Sequence, residues 1–496
     1  MRPIPKIKAE MNTPIVREIP LAAESLLHAL LSFDPARRVS ILDSGGARGD
    51  EARFLIAGFD PFEVVEAYND QLHVSRPREG IEGVERGDVL HVLDEYLESY
   101  RVPQSPHVTL PATGACIATF SYGLARRFER LRSRPLDVTS EPDAVLAFYD
   151  TLVIHDYAQS QTVIVGVGGR ERLTKFCKAI NEASINVRPD PPYEADAGTR
   201  FSHPLPFNQQ PVSLAHPAFT SNFTRDGYIA AVRRIKEHIA AGDIYQANLT
   251  QQLSVLLREN VRPEQIFLRL RRDHPASFAA FIRRRLNTCI SASPERFLRV
   301  EVNGMERRVE AWPIKGTRAR GRSPMEDARL RAELRTSEKD RAENVMIVDL
   351  MRNDLGRVCE YGSVEVPELF TLQEHPTLFH LVSKVRGRLR DNVTAADLLR
   401  ASFPCGSVTG APKIRAMQII DEIETAPRGL SMGAIGYFSF DGSLDLSVAI
   451  RTMMVCGGRA RFNVGGGIVA DSDPALEYEE SLVKARALLR ALDVKD

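Results

Sequence analysis

One lysine stands where a lysine is unexpected. In Trp312-Pro313-Ile314-Lys315-Gly316-Thr317-Arg318-Ala319-Arg320-Gly321 it sits between an apolar dipeptide and a Gly-Thr turn, with two arginines following. Lysine usually keeps its ammonium in water by laying its stem over apolar surface, so a snorkelling residue beside a turn is one reading. The other is a nucleophile. An amine held against a wall, with Arg318 and Arg320 nearby to disfavour its charge, is suited to attack in the neutral form.

Two groups of carboxylates offer a different chemistry. The stretch Thr336-Ser-Glu-Lys-Asp-Arg-Ala-Glu opens with capping residues and predicts a helix on which Asp340 and Glu343 share a face, one turn apart. Near the other end of the chain, Asp473 can cap and Pro474 can occupy the first position of a helix. Glu477, Glu480 and Lys484 form one stripe of it, and Leu482, Ala485, Leu489 and Leu492 an apolar one. Each acidic pair alone reads as a solvated helix face. If the two helices converge, their four carboxylates suit a magnesium ion that keeps some water and takes its remaining ligands from an anionic substrate.

Glycine-rich stretches supply candidate anion sites. Phe403-Pro-Cys-Gly-Ser-Val-Thr-Gly-Ala-Pro-Lys413 leads into a helix expected to begin near Ala411, so its amides with Ser407, Thr409 and Lys413 could hold a carboxylate or phosphate. Its G-x-x-x-G-x-P-K spacing is not that of a P-loop. Gly465-Gly466-Gly467 follows a strand predicted over Ala460 to Val464, and is either a flexible turn or a place where amides approach a ligand unobstructed. Arg451, ending an apolar strand, is a carboxylate clamp or a plain salt-bridge partner. Together these residues point to a magnesium-dependent enzyme acting on a small polyanion, with a candidate lysine nucleophile. They do not identify the substrate.

The rest of the chain must position them. At 496 residues it exceeds what one hydrophobic core usually supports, and two or three subdomains are expected. Basic and acidic residues balance at 65 each without long runs of one sign, which argues against nucleic acid or a membrane surface as partner and for a small molecule or another protein. Six dispersed cysteines read as reduced, mostly buried thiols. No apolar run reaches membrane-spanning length and the N-terminus lacks a signal-like stretch, so a cytoplasmic location is expected.

Periodicity predicts a helix from Ala22 to Phe33, strands near Val39 to Asp43 and Arg53 to Pro61, a helical stretch at 87–99 and a small-residue strand from Pro111 to Tyr122. It also predicts a strand pair, Thr151 to Asp156 with Thr162 to Val167. Residues rich in Pro, Asn, Gln and His mark a linker at 188–220, between an N-terminal region, 1–187, and a second domain, 221–496. That domain opens on a helix capped by Thr224 and ended by Gly242, then strands over Ile244 to Val255, Ser277 to Ile282 and Cys289 to Arg296.

Seven blocks, in order, resemble the chorismate-utilising enzymes: DIYQANLTQ, SPERFL, PIKGTRARG, KDRAENVMIVDLMRNDLGRV, FPCGSVTGAPKIRAM, GAIGYFSFDGSLDLSVAIRT and GGGIVADSDPALEYEESLVKA. The N-terminal GFDPFEVV and PATGACIATFSYGLAR are similar to the more variable region of that family's aminating members. The resemblance implies an α+β fold of the anthranilate synthase component I type, two packed antiparallel β-sheets flanked by helices, with the site in a deep cleft. It implies a Mg2+ site on Glu343 and Glu480, with Asp340 and Glu477 adjoining. Arg451 and the Gly465, Gly466 and Gly467 amides match the groups that hold the substrate carboxylate. Gly316, Thr317, Ser407, Thr409 and Lys484 complete the substrate-binding set. His380 matches a histidine near the substrate ring, although in its apolar run it could equally be a satisfied core residue.

Two positions discriminate among members. Those adding water to chorismate carry a lysine base where this chain has Gln246, whereas ammonia-using members carry glutamine; a neutral amide cannot deprotonate water. Members that aminate ring carbon 2 read PIAGT, and the aminodeoxychorismate-forming branch, which aminates carbon 4, reads PIKGT. Amination at carbon 4 proceeds with retention, which two displacements explain: attack by neutral Lys315 at carbon 2 expels the 4-hydroxyl, and ammonia at carbon 4 then expels the lysine. Glu295, in SPERF, matches the family's general acid for the departing hydroxyl. The resemblance further implies a separate glutamine amidotransferase subunit as ammonia source and a product destined for 4-aminobenzoate and folate. The alternatives are an anthranilate-forming component that happens to carry the lysine and a catalytically silent chorismate-binding subunit.

Overall fold

The computed structural model describes residues 14–45, 52–103, 110–129, 131, 141–186, 219–374 and 378–494. Within them, alternating and β-branched runs pair into two antiparallel sheets of twelve strands each. One runs from Ile15–Ile19 at an edge, through Thr151–Asp156, Ser40–Asp43, Phe278–Arg283 and Thr288–Ser293, to Arg459–Ile468 and Gln246–Leu256 near the other edge. The second runs from Ile314–Ala319 through Leu378–Arg388, Arg296–Asn303 and Ala434–Ser439 to Ala115–Phe120 and beyond. The α+β class expected from the resemblance is the class observed.

Strands from both sides of residues 188–220 enter both sheets. Ser40–Asp43 pairs with Phe278–Arg283, Ile41 opposite Phe281, and Ala115–Phe120 pairs with Ala434–Ser439, Ala118 opposite Gly436. The chain from 221 onward therefore shares its sheets with the N-terminal region. Positions 188–218 of the expected linker lie outside the described residues.

Between the sheets, Ile56, Ile117, Tyr149, Ile282, Ile435 and Met454 close one apolar layer from both regions. Each large side chain buried there stabilises the fold by about 1.5–3 kcal/mol. Tyr149 keeps its hydroxyl satisfied on Ser40 Oγ and the Arg38 carbonyl, both at 2.9 Å. The predicted hairpin forms with Ile164 opposite Val153. Thr224 Oγ1 accepts the Gly227 amide at 3.1 Å, and Asp473 accepts those of Ala475 and Leu476 at 2.9 and 3.0 Å. All six cysteines are free, five of them buried, with Cys456 exposed. Among the described residues no helix is long and apolar enough to cross a membrane.

The triple glycine departs from the turn reading. Strand Arg459–Ile468 runs straight through it, with Gly465, Gly466 and Gly467 opposite Thr250, Leu249 and Asn248. Glycine serves there for close approach: a Cβ on Gly465 would lie 1.9 Å from the Leu249 carbonyl oxygen, and one on Gly467 1.9 Å from Gln246 Nε2.

Candidate active site

Glu295 occupies the crossover between the sheets, after Thr288–Ser293 in the first and before Arg296–Asn303 in the second. Its carbonyl accepts the Val448 amide at 3.0 Å, and Ser293 Oγ donates to the Val448 carbonyl at 2.6 Å, so the crossover is pinned on both sides. The side chain is 5% exposed. Burial pushes its carboxyl up to about 7, while the Ser407 hydroxyl, the Lys315 charge and the Ile314 amide favour the ionised form and limit the rise. Its Oε1 is buried with no hydrogen-bond partner among the described residues.

Lys315 lies on the edge strand Ile314–Ala319 of the second sheet, half-buried, and its Nζ donates to the Ser407 carbonyl at 3.2 Å. Ser407 belongs to a single 3₁₀ turn, Gly406–Val408, which several contacts brace. Thr409 Oγ1 donates to the Cys405 carbonyl at 2.9 Å, and the Thr409 carbonyl accepts the Asn248 amide at 2.8 Å. Arg428, buried, donates to the Val408 carbonyl at 2.9 Å, to the Asn248 carbonyl, and to both carboxylate oxygens of buried Glu424 at 2.8 and 2.9 Å. Its guanidinium also lies 4.3 Å from the centroid of the Tyr122 ring. Lys413 is not free to bind an anion as its position in the motif suggested: its Nζ donates to Asp354 Oδ2 at 2.6 Å and to the Ser402 carbonyl at 2.5 Å. The helix it begins is Lys413–Ile423, two residues later than expected.

The two acidic helices do approach one another. Helix Glu338–Gly356 is capped by Ser337 and held to strand Leu378–Arg388 through Asn344, which accepts from Ser383 Oγ at 2.6 Å. Gly316, at φ 89°, admits it: a Cβ there would meet Asp340 Cβ at 3.0 Å and Leu334 Cδ1 at 2.9 Å. Helix Pro474–Ala491 lies against strand Arg459–Ile468, and a Cβ on Gly466 would meet Glu477 Oε2 at 3.2 Å, Lys484 Nζ at 3.4 Å and Glu480 Oε1 at 3.8 Å. Burial raises the Glu343 carboxyl against the charges of Lys315 and Lys339, with Asp340 and Glu480 adding to the rise. It raises Glu477 likewise, against a 2.7 Å hydrogen bond from Ser472 Oγ. Partial burial also opposes the charge of Glu480, but Lys484, 2.8 Å away, outweighs it with Lys339 and Lys315 and holds this carboxyl below its ordinary value.

Of the four acids, Asp340 is paired with Arg318 at 3.0 Å, Glu477 with Ser472 at 2.7 Å and Glu480 with Lys484 at 2.8 Å, while Glu343, on the other helix, lies within electrostatic reach of Glu480. Among the described residues, no three or more His, Cys, Asp or Glu side chains are grouped so as to hold a metal by themselves. Glu343 and Glu480, hard oxygen donors each within the electrostatic reach of Lys315, are nevertheless of the type that magnesium takes, since it keeps several waters and draws other ligands from substrate.

The remaining predicted residues border the same region. Thr317 Oγ1 and His380 Nδ1 are 2.9 Å apart, on strand partners directly opposite, and His380 is buried. Lys484 also donates to the Gly465 carbonyl at 2.9 Å. Arg451 stands at φ 49°, half-buried, and no carboxylate acts on it among the described residues. Gln246 begins its strand 1% exposed, opposite Ala411. Sequence reasoning missed Arg428, Cys405 and Lys339. Lys339, four residues before Glu343 on the same helix, was legible from spacing. Nothing local marks Arg428, whose partners lie as far as 180 residues away.

A family profile described as chorismate binding enzyme matches residues 40–490. An aminodeoxychorismate synthase of Streptomyces griseus is 44% identical over 353 residues, 71% of this chain and 47% of that protein, so the chain spans about half of its length. The aminodeoxychorismate synthase component 1 of Salmonella typhimurium is 37% identical over 483 residues, 97% of this chain and 99% of that protein. Among solved structures, an anthranilate synthase component I from Streptococcus pneumoniae is similar with a TM-score of 0.72 at 30% identity, covering 89% of this chain and 93% of that one.

Proposed function

The chain belongs to the chorismate-binding enzyme family, and we propose that it is an aminodeoxychorismate synthase component I, converting chorismate and ammonia to 4-amino-4-deoxychorismate. The observation that carries this reading is the meeting of Lys315 and Glu295 at Ser407: an amine and a carboxyl pushed up to about 7 stand at one turn of chain. A carboxyl near neutrality can be protonated when substrate arrives, as a general acid must be.

In the mechanism this supports, the neutral Lys315 amine attacks ring carbon 2, forming a carbon–nitrogen bond. The ring double bond shifts and the carbon 4 oxygen bond breaks, the hydroxyl leaving as water with the proton of Glu295. Ammonia then attacks carbon 4, the double bond returns, and the electron pair of the breaking bond goes back to Lys315 Nζ. The Glu295 carboxylate takes the proton released by the new ammonium. The net change is chorismate plus ammonia to product plus water. Arg451, on which no carboxylate acts among the described residues, would pair with a substrate carboxylate. Glu343 and Glu480 would hold magnesium, which as a Lewis acid supplies stabilisation of charge developing near the ring carboxylate.

The ammonia comes, in this reading, from a separate glutamine amidotransferase subunit, and the product serves 4-aminobenzoate and folate synthesis in the cytoplasm. Likeness to an anthranilate synthase component I favours a second reading, amination at carbon 2. Incubation with chorismate, ammonium and magnesium separates the two. The proposed activity gives a product that becomes 4-aminobenzoate only after an aminodeoxychorismate lyase is added; direct appearance of fluorescent anthranilate overturns it.

A further inference from the structure

Beneath the turn that meets Lys315 lies a buried ion pair, Arg428 with Glu424, whose side chains are 2% and 4% exposed. The guanidinium uses its fork in three directions. Nε and Nη2 donate to the two Glu424 carboxylate oxygens at 2.9 and 2.8 Å, Nη1 to the Val408 carbonyl at 2.9 Å, and Nη2 also to the Asn248 carbonyl. Glu424 is itself fixed to strand Gln246–Leu256, its Oε1 accepting the Thr250 amide at 2.7 Å and the Thr250 hydroxyl at 2.9 Å. From the N-terminal region, Tyr122 lays its ring against the guanidinium, and its backbone amide donates to the Gly429 carbonyl at 2.8 Å. Val408 directly follows Ser407, whose own carbonyl accepts from Lys315. A buried ion pair adds little stability over well-packed apolar residues of similar volume. Directed bonds from one rigid plane do fix where two carbonyls stand, and a lysine ammonium cannot reproduce that fork.

We propose that Arg428 is a positioning residue for the first displacement, fixing the turn Gly406–Val408 so that Ser407 meets Lys315 and Glu295 together. This rests on the reading above of Lys315 as nucleophile and Glu295 as acid. The guanidinium touches neither reacting group. It acts through the Val408 carbonyl, one residue from Ser407, and through the Asn248 carbonyl, which ties the same turn to its neighbouring strand. Through Tyr122 the N-terminal region contributes to this alignment, although neither the amine nor the acid belongs to it.

The ion pair and the fork can be separated. Arg428→Lys keeps a charge opposite Glu424 and loses the fork; Arg428→Met combined with Glu424→Gln removes both charges and leaves Thr250 an acceptor. Thermal melts check that each variant folds, and intact mass spectrometry then times the chorismate-dependent adduct on Lys315, with magnesium and without ammonia. Both variants should form it at least about tenfold more slowly than the unaltered protein, with the Michaelis constant for chorismate changed by less than about threefold. Arg428→Lys should melt close to the unaltered protein, which separates its loss of rate from a loss of fold. A smaller loss of rate in either folded variant overturns the assignment. So does a chorismate constant that rises as far as the rate falls, which would make Arg428 a support of substrate binding, and so does failure of both variants to fold, which would make the pair a folding element. No adduct on the unaltered protein would sink the underlying covalent reading instead, and this inference with it.

Discussion

Lys315 Nζ lies 3.2 Å from the carbonyl oxygen of Ser407, the residue whose hydroxyl favours the ionised form of Glu295. A single turn of chain thus touches both the amine and the acid. The two come from different sheet positions, an edge strand and the crossover between sheets, and are brought together by the loop that Arg428 and Thr409 brace. Disturbing either sheet or loop should therefore change how the amine and the acid meet.

Glu295→Gln should lower kcat by about 10²–10⁴-fold if Glu295 is the general acid. In the unaltered protein, activity requires the protonated acid and should fall as pH rises through about 7; that limb should be missing from the pH profile of the variant.

The same group has a stability signature of definite sign. Its folded value, about 7, exceeds its ordinary 4.5, so the folded state binds more protons between those limits. The contribution is fully present below pH 4.5 and is lost as pH rises through 7. By linkage Glu295→Gln should be the more stable protein at pH 8, by up to about 3 kcal/mol, and should lose that advantage below pH 5. Urea unfolding at the two pH values measures it.

Alanine at two neighbouring glycines should act differently. At Gly465 the added Cβ meets backbone, the Leu249 carbonyl, and Gly465→Ala should destabilise by about 1–3 kcal/mol or more by strand disruption. At Gly467 it meets the end of the Gln246 side chain, which can be displaced. Gly467→Ala should cost less stability and be felt chiefly in catalysis. Thermal melts and steady-state kinetics separate the two effects.

Removing the charge of Glu424 leaves the Arg428 guanidinium buried without its counter-ion. Glu424→Gln should cost about 3–5 kcal/mol in chemical denaturation. Restoring the pair in reversed order is not expected to help, because Arg428 also holds the Val408 and Asn248 carbonyls.

Magnesium titration followed by calorimetry, with a chorismate analogue present, should give binding to the unaltered protein and a loss of affinity in Glu343→Gln and Glu480→Gln. Asp340→Asn should weaken it less, since that carboxylate is occupied by Arg318.

Local signals made much of this legible. Hydrophobic periodicity located some of the strands and helices, among them Ser40–Asp43, Thr151–Asp156, Phe278–Arg283 and Arg225–Ala240, and cap residues such as Thr224 and Asp473 do what their types predict. The acidic stripes were readable from helical spacing, including which residues share a face. What escaped depends on distant chain. A triple glycine looks like a turn until its strand partner is known, and Lys413 resembles an anion ligand until Asp354, on another helix, claims it. Arg428 carries no motif because its acceptors are backbone carbonyls of other segments. The interleaving of both regions in both sheets is likewise a product of long-range pairing, which composition does not encode.

Intact-protein mass spectrometry with chorismate and magnesium, in the absence of ammonia, tests the covalent role of Lys315 most directly. The account predicts an adduct with the mass of chorismate less water, absent from Lys315→Ala, and discharged from the unaltered protein on adding ammonium. No adduct on the unaltered protein, together with undiminished 4-amination by Lys315→Ala, would contradict it.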